Sequence, residues 1–184
     1  MFETFERDGY LVTTDPAKFD LNAIHGCLVR AYWSQGIPRK TVERAVANSL
    51  CFAVLHGKAQ VGFARVVTDC ATYAYLCDVY ILEEHQGKGL GKWLMECVMA
   101  HPSLQGLRRF SLATRDAHGL YRQFGFRELG NPDTAMEILR PDLYSHNGMT
   151  GSDSQAWVML RIGRSAVQSH KRKEPVDEEN KVCR

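Results

Sequence analysis

Val79-Tyr80-Ile81-Leu82-Glu83-Glu84-His85-Gln86-Gly87-Lys88-Gly89-Leu90-Gly91-Lys92-Trp93-Leu94 passes from an apolar strand pattern, through a glycine-rich turn, into a helical one. Three glycines in five positions let the backbone turn tightly and come close to a ligand. A helix that starts there presents unpaired N–H groups and the positive end of its dipole, an arrangement suited to an anion such as a diphosphate. Lys88 and Lys92 would add charge at its rim. The segment is not a Walker A loop, which needs a Gly-Lys followed by Ser or Thr at a fixed spacing. Its G-x-G-x-G spacing also departs from the dinucleotide-binding G-x-G-x-x-G, and the chain lacks repeated βαβ units.

Upstream, Gly9 to Thr14 reads as a first strand. Asp20 is placed to cap a helix from Leu21, with Leu21, Ile24, Leu28, Val29 and Tyr32 on one face. Gly36 and Pro38 break that helix, and Pro38 suits the first turn of a second one over Arg39 to Asn48. Residues 50–55 and 61–67 flank His56-Gly57-Lys58 as a β-hairpin, and Tyr73 to Leu82 forms a further strand. Downstream, Lys92 to Ala100 reads as helix, Arg108 to Thr114 as strand and Asp116 to Phe124 as a short helix. Phe126 to Leu129 and Ala135 to Leu139 read as two final strands. The predicted order is β-α-α-β-β-β-α-β-α-β-β, an α/β chain of the α+β type with a mixed sheet and helices on both faces.

The 184 residues suit one domain with a real core, and 45% apolar and 24% charged residues are ordinary for a globular protein. No apolar run reaches the roughly 18 residues of a membrane span, and the acidic, mixed start is neither secretory signal nor transit peptide. A cytoplasmic enzyme away from membranes is expected. The cysteines (Cys27, Cys51, Cys70, Cys77, Cys97, Cys183) contain no C-x-x-C pair and sit mostly in apolar runs, which argues for packing over metal or disulfide chemistry. The net charge is +2, too small to argue for a nucleic-acid partner. That excess lies in residues 164–184, whose polar composition predicts a disordered tail. Residues 145–163 form an extension in which Trp157 to Ile162 is able to dock on a domain spanning 1–144.

Two blocks together resemble the GNAT superfamily of N-acetyltransferases. Gln86-x-x-Gly89-x-Gly91 matches its coenzyme-A signature, and Ala117-His118-Gly119-Leu120-Tyr121-Arg122-Gln123-Phe124-Gly125-Phe126 is similar to its A-x-x-L-Y-x-x-x-G-F block. A helix and a strand separate them, as in the family, and the resemblance spans roughly 1–144. It implies a mixed, mostly antiparallel sheet and acetyl-CoA as co-substrate. By resemblance, the main chain of Gln86, Gly87, Lys88, Gly89, Leu90 and Gly91 holds the diphosphate, and Val79 and Ile81 pair with the pantetheine arm. Tyr121 matches the tyrosine that protonates the departing thiolate.

The resemblance also implies a base that takes a proton from the amine, a role some members give to a glutamate. The corresponding position is Tyr75. Asp78, three residues on, is a candidate that strand alternation turns to the opposite face. His118, one helical turn before Tyr121, is another, and a water chain to Glu83, Glu84 or His85 is a third route. The acceptor site is expected at the first two helices and the loop through Tyr32 and Trp33. The acceptor itself would be a small-molecule or peptide amine, and the chain a monomer or a homodimer. A non-catalytic acyl-CoA sensor or scaffold on the same fold is the alternative reading.

Overall fold

The computed structural model describes residues 2–144. The extension at 145–163 and the tail at 164–184 lie outside the described residues. The first two strands, β1 (Thr4–Arg7) and β2 (Tyr10–Thr13), form a hairpin. Its two-residue turn, Asp8-Gly9, has φ of 50° and 79°, the left-handed pair that a tight hairpin of native twist requires. The sequence pattern predicts only one strand here, Gly9 to Thr14. β1 is mostly exposed and polar, so it carries no apolar alternation, although the Asp-Gly dipeptide was a turn signal.

Helix α1 (Leu21–Leu28) starts where expected. The Asp20 carboxylate accepts from the N–H groups of Asn22 and Ala23 at 2.8 and 3.1 Å, satisfying two of the donors that a helix start leaves open. The helix ends before Val29 and Tyr32, which were expected to extend its face. The Leu28 carbonyl accepts from the buried Ser34 hydroxyl at 2.7 Å, and this local bond competes with another helical turn. Helix α2 (Arg39–Ala47) follows directly after Pro38.

Strands β3 (Leu50–His56), β4 (Ala59–Thr68) and β5 (Tyr73–Ile81) lead into α3 (Leu90–Ala100), β6 (Arg109–Leu112) and α4 (His118–Arg122). The six strands lie in the order β1-β2-β3-β4-β5-β6. Every neighbour pair is antiparallel except β5 and β6, which run parallel. Helices cover both faces. Ile24, Leu28 and Val42 pack on Cys51 and Phe63, while Trp93, Leu94, Met95 and Val98 pack with Val12, Phe52, Val66 and Leu76 on the other side. Side chains such as Phe52, Phe63 and Leu94, at 0% exposure, each contribute about 2 kcal/mol by leaving water.

The mixed α+β class stands, but its last two strands do not form. No described residue after α4 is in a strand. The Phe126 N–H bonds back to the Tyr121 carbonyl, and its ring lies 5.3 Å from that of Phe110, so it packs as the end of a helical turn. A 3₁₀ turn at Pro132–Thr134 precedes residues 135–139, whose apolar side chains face solvent. β propensity is realised only against a partner strand, and this segment has none among the described residues.

One irregularity shapes the sheet. Phe63 pairs with Tyr80 and Arg65 with Cys77, so Asp78 and Val79 together oppose Ala64 as a β-bulge. Asp78 takes φ 54°, a left-handed backbone that aspartate tolerates better than most residues. Its carboxylate accepts from Arg65 Nε at 2.6 Å and from Trp33 Nε1 at 3.2 Å. Arg65 also donates to the Ser49 hydroxyl at 3.2 Å. Only 18% of the Arg65 side chain and 9% of the Asp78 side chain are exposed. Burial works against the guanidinium charge and the adjacent carboxylate outweighs it, so the Arg65 pKa ends above its ordinary value.

Asp78→Ala strands a largely buried cation and frees Trp33. It is expected to cost about 3 kcal/mol of unfolding free energy in urea titrations, with Asp78→Asn costing less because it keeps an acceptor and tolerates the backbone; a wild-type midpoint for the alanine variant contradicts this. Acid should act through His101, which is buried against Phe52 and whose Nδ1 accepts from the Ser103 N–H at 3.2 Å. Burial holds its pKa below the ordinary value. As pH falls through about 6.5 the unfolded chain therefore binds the proton first and stability declines. His101→Gln should flatten that part of the urea-midpoint profile, and an unchanged slope would exclude His101 as its source.

Candidate active site

The parallel pairing of β5 and β6 runs from Tyr73 and Arg109 to Leu76 and Leu112 and then stops, while β5 continues to Ile81. A gap therefore opens along the second half of β5. Val79, in the bulge, has no register partner on either neighbouring strand. Ile81 is different, because its carbonyl accepts from the Gln86 side-chain amide at 2.8 Å. Gln86 thus ties the glycine-rich turn to the end of the strand.

The turn itself is exposed from Gln86 to Gly89, and Leu90 anchors it in the core at 5% exposure. Gly87 and Gly89 have φ of 73° and 77°, and a Cβ built on either meets nothing within 4 Å. The backbone here is left-handed and the space in front of it is open. Gly89 is the N-cap of α3, with no side-chain cap bond and no acid in the first turn. The first N–H groups of α3 are thus left for a ligand or water, at the positive end of the helix dipole.

Lys88 was expected at the rim of this site. Its Nζ instead bonds the Glu84 carbonyl at 3.2 Å and the Tyr10 hydroxyl at 3.5 Å. Tyr10 also bonds His85 Nδ1 at 3.0 Å and stacks on His56 with ring centres 4.6 Å apart. This cluster clamps the turn to β2 and β3. Lys92 is exposed and makes no ion pair among the described residues.

Tyr121 lies on α4 at 8% exposure, its ring 6.0 Å from Phe126. Burial, and then Tyr32 and Asp116, hold its phenol above the ordinary pKa, so it stays protonated at neutral pH. His118 is exposed one turn earlier and lines, with Tyr121, a groove of about 650 Å³ beside β6. Asp78 lies in a separate cavity of about 180 Å³, with Trp33, Arg65 and Tyr144. It does not simply face away from Tyr75, because the bulge breaks the alternation on which that expectation rested. Held by two donors, it serves to position Trp33.

Sequence reasoning missed this role for Arg65, although an arginine within Val61-Gly62-Phe63-Ala64-Arg65-Val66-Val67 was a signal. A charge in so apolar a strand demands a partner. It also missed the link from Trp33 onward. The Tyr32 ring meets Trp33 edge-on at 4.9 Å and carries the Arg115 guanidinium 3.9 Å from its centre, joining the loop after α1 to the one before α4. No helix among the described residues is long and apolar enough to cross a membrane.

Comparison with known proteins agrees with this arrangement. Residues 47–128 match the acetyltransferase (GNAT) domain. A solved structure of a protein assigned to the GNAT family, from Xanthomonas campestris pv. campestris, is 50% identical with a TM-score of 0.74, covering 76% of this chain and 99% of that one. A Gibberella zeae protein classed with the acetyltransferases is 34% identical over 142 residues, 65% of this chain and 79% of that protein. The fold is shared with a GNAT acetyltransferase from Elizabethkingia anophelis solved with acetyl-CoA bound, at 14% identity and a TM-score of 0.52 over 73% of this chain and 90% of that one. An exposed glycine turn beside a parted strand pair, with these relatives, makes the chain a member of the GNAT family of acetyltransferases.

Proposed function

We propose that this protein is a cytoplasmic enzyme that transfers the acetyl group of acetyl-CoA to a primary amine of a small molecule or peptide. The observation that carries the reading is the uncapped start of α3, which opens beside the parted ends of β5 and β6. Main-chain N–H groups from Gly87 to Gly91 are the donors for the diphosphate, the Gln86 N–H being taken by the Glu83 carbonyl at 3.1 Å, and open space before Gly87 and Gly89 admits it. The pantetheine arm pairs with main chain at the gap, as in strand addition. Val79 is unpartnered there, whereas Ile81 shares its carbonyl with Gln86.

The amine nitrogen attacks the thioester carbonyl, the carbon–sulfur bond breaks, and the departing thiolate takes its proton from Tyr121. A phenol kept protonated by burial suits that task. The amine must also lose a proton. Asp78 is engaged by Arg65 and Trp33 and His85 by Tyr10; the base in this reading is His118, which shares a groove with Tyr121, with a water chain to Glu83 or Glu84 as the other route.

Tyr121→Phe is expected to lower turnover roughly a hundredfold while leaving acetyl-CoA affinity within about twofold. Thiol release across a panel of amines, paired with calorimetric binding of acetyl-CoA, measures both. Wild-type turnover in the phenylalanine variant removes Tyr121 as the donor. Tight binding with no turnover on any amine would replace the enzyme reading with the sensor.

A further inference from the structure

The loop after α1 meets the loop before α4 in an aromatic wall that the proposed reaction leaves unused. Tyr32 and Trp33 are adjacent large rings, 51% and 46% exposed. Exposed aromatic side chains placed together mark binding surfaces. Neither ring is loose. The Trp33 indole N–H donates to Asp78 at 3.2 Å, and Tyr32 meets Trp33 edge-on with ring centres 4.9 Å apart. The wall also reaches Tyr121: after burial, Tyr32 is the strongest influence holding that phenol above its ordinary pKa.

Charge enters this wall through Arg115, whose guanidinium carbon stands 3.9 Å from the centre of the Tyr32 ring. A guanidinium held over a ring by cation–π attraction keeps its N–H donors for another partner. Its ion pair among the described residues is with Asp116, next in the chain, at 4.0 Å, and both side chains are mostly exposed. Such a pair contributes little and yields readily to a better-placed anion. The carboxylate behind Trp33 is in the opposite situation, because Asp78 is already matched by Arg65 at 2.6 Å and mostly buried. The charge that the wall offers a ligand is therefore the guanidinium.

We propose that Arg115 selects the acceptor, and that this acceptor is a small amine that also carries a carboxylate, as a free amino acid does. The inference rests on the acetyltransferase reading above and names its substrate class. The guanidinium takes the carboxylate through paired N–H···O bonds, the carbon skeleton lies on Tyr32 and Trp33, and the amine is directed toward Tyr121, beside which the thioester is attacked. One guanidinium fork matches one carboxylate in plane. A lysine at this position would supply the charge without the fork.

Thiol release on amino acids, each paired with the amine that lacks only the carboxylate, tests it on the full chain. Arg115→Gln is expected to shrink the preference for the carboxylate member about tenfold, through KM and for that member alone. Comparing one pair across two proteins cancels the differing basicity of its amines. Arg115→Lys should recover part of the preference, whereas an arginine with a purely structural role would move both members alike. Tryptophan emission is the second readout. Amino acids added to the complex with free coenzyme A should change it in the wild type and not in Arg115→Gln, with Trp33→Phe identifying the responding ring. A response to the carboxylate members alone, without turnover on any amine, would remove the transferase reading and leave this assignment standing. A preference equal in the wild type and Arg115→Gln overturns it, and so do amino acids that give neither turnover nor a change in emission.

Discussion

A carboxylate and a guanidinium, 2.6 Å apart and mostly removed from water, set the shape of the working half of this sheet. Two charges in such a place are tolerated only when their geometry is good and their remaining hydrogen-bonding capacity is used. Here it is, through Ser49 on one side and Trp33 on the other. The pair fixes the bulge at Asp78 and Val79, beyond which β5 meets β4 in a shifted register. The last pairing with β6 lies just before it, at Leu76. The proposed binding edge and acceptor loop thus share one anchor: the bulge leaves Val79 without a register partner, and the carboxylate that holds it also holds Trp33.

The proposed binding chemistry falls to the main chain. Around the glycine turn the side chains serve mainly as fasteners: Leu90 in the core, Gln86 on the strand end, Lys88 through Tyr10 on β2. None of them occupies the space before Gly87 and Gly89. In the proposed reading, an anion there meets N–H donors whose positions are set before it arrives, so little reorganisation is needed on binding. Tyr121 complements this from α4, where burial among apolar rings keeps its proton in place.

How legible this was in the sequence follows from how local each signal is. The turn at 86–91 could be read because a left-handed, uncapped helix entry needs glycine at particular positions. Asp20 and the hairpin around Gly57 were equally local. β1 escaped because a polar edge strand has no alternation to detect, and Tyr32 was misplaced because Ser34 stops α1 from within the following loop. The alternation at 126–129 and 135–139 was real as a pattern, but pairing is non-local and the described residues offer it no partner. Asp78 was the hardest. Its role depends on Arg65 across the sheet, and one extra residue in a strand invalidates every face assignment beyond it. The site's backbone was therefore readable, and the ionic contacts that position its loop were not.

Amide hydrogen–deuterium exchange with and without acetyl-CoA examines the central claim at its own level, the main chain. Protection concentrated at 79–81 and 86–92, against little change in the β1–β2 hairpin, is the result this account requires. Acetyl-CoA that binds while those amides exchange at their unliganded rates would place the ligand elsewhere and contradict it.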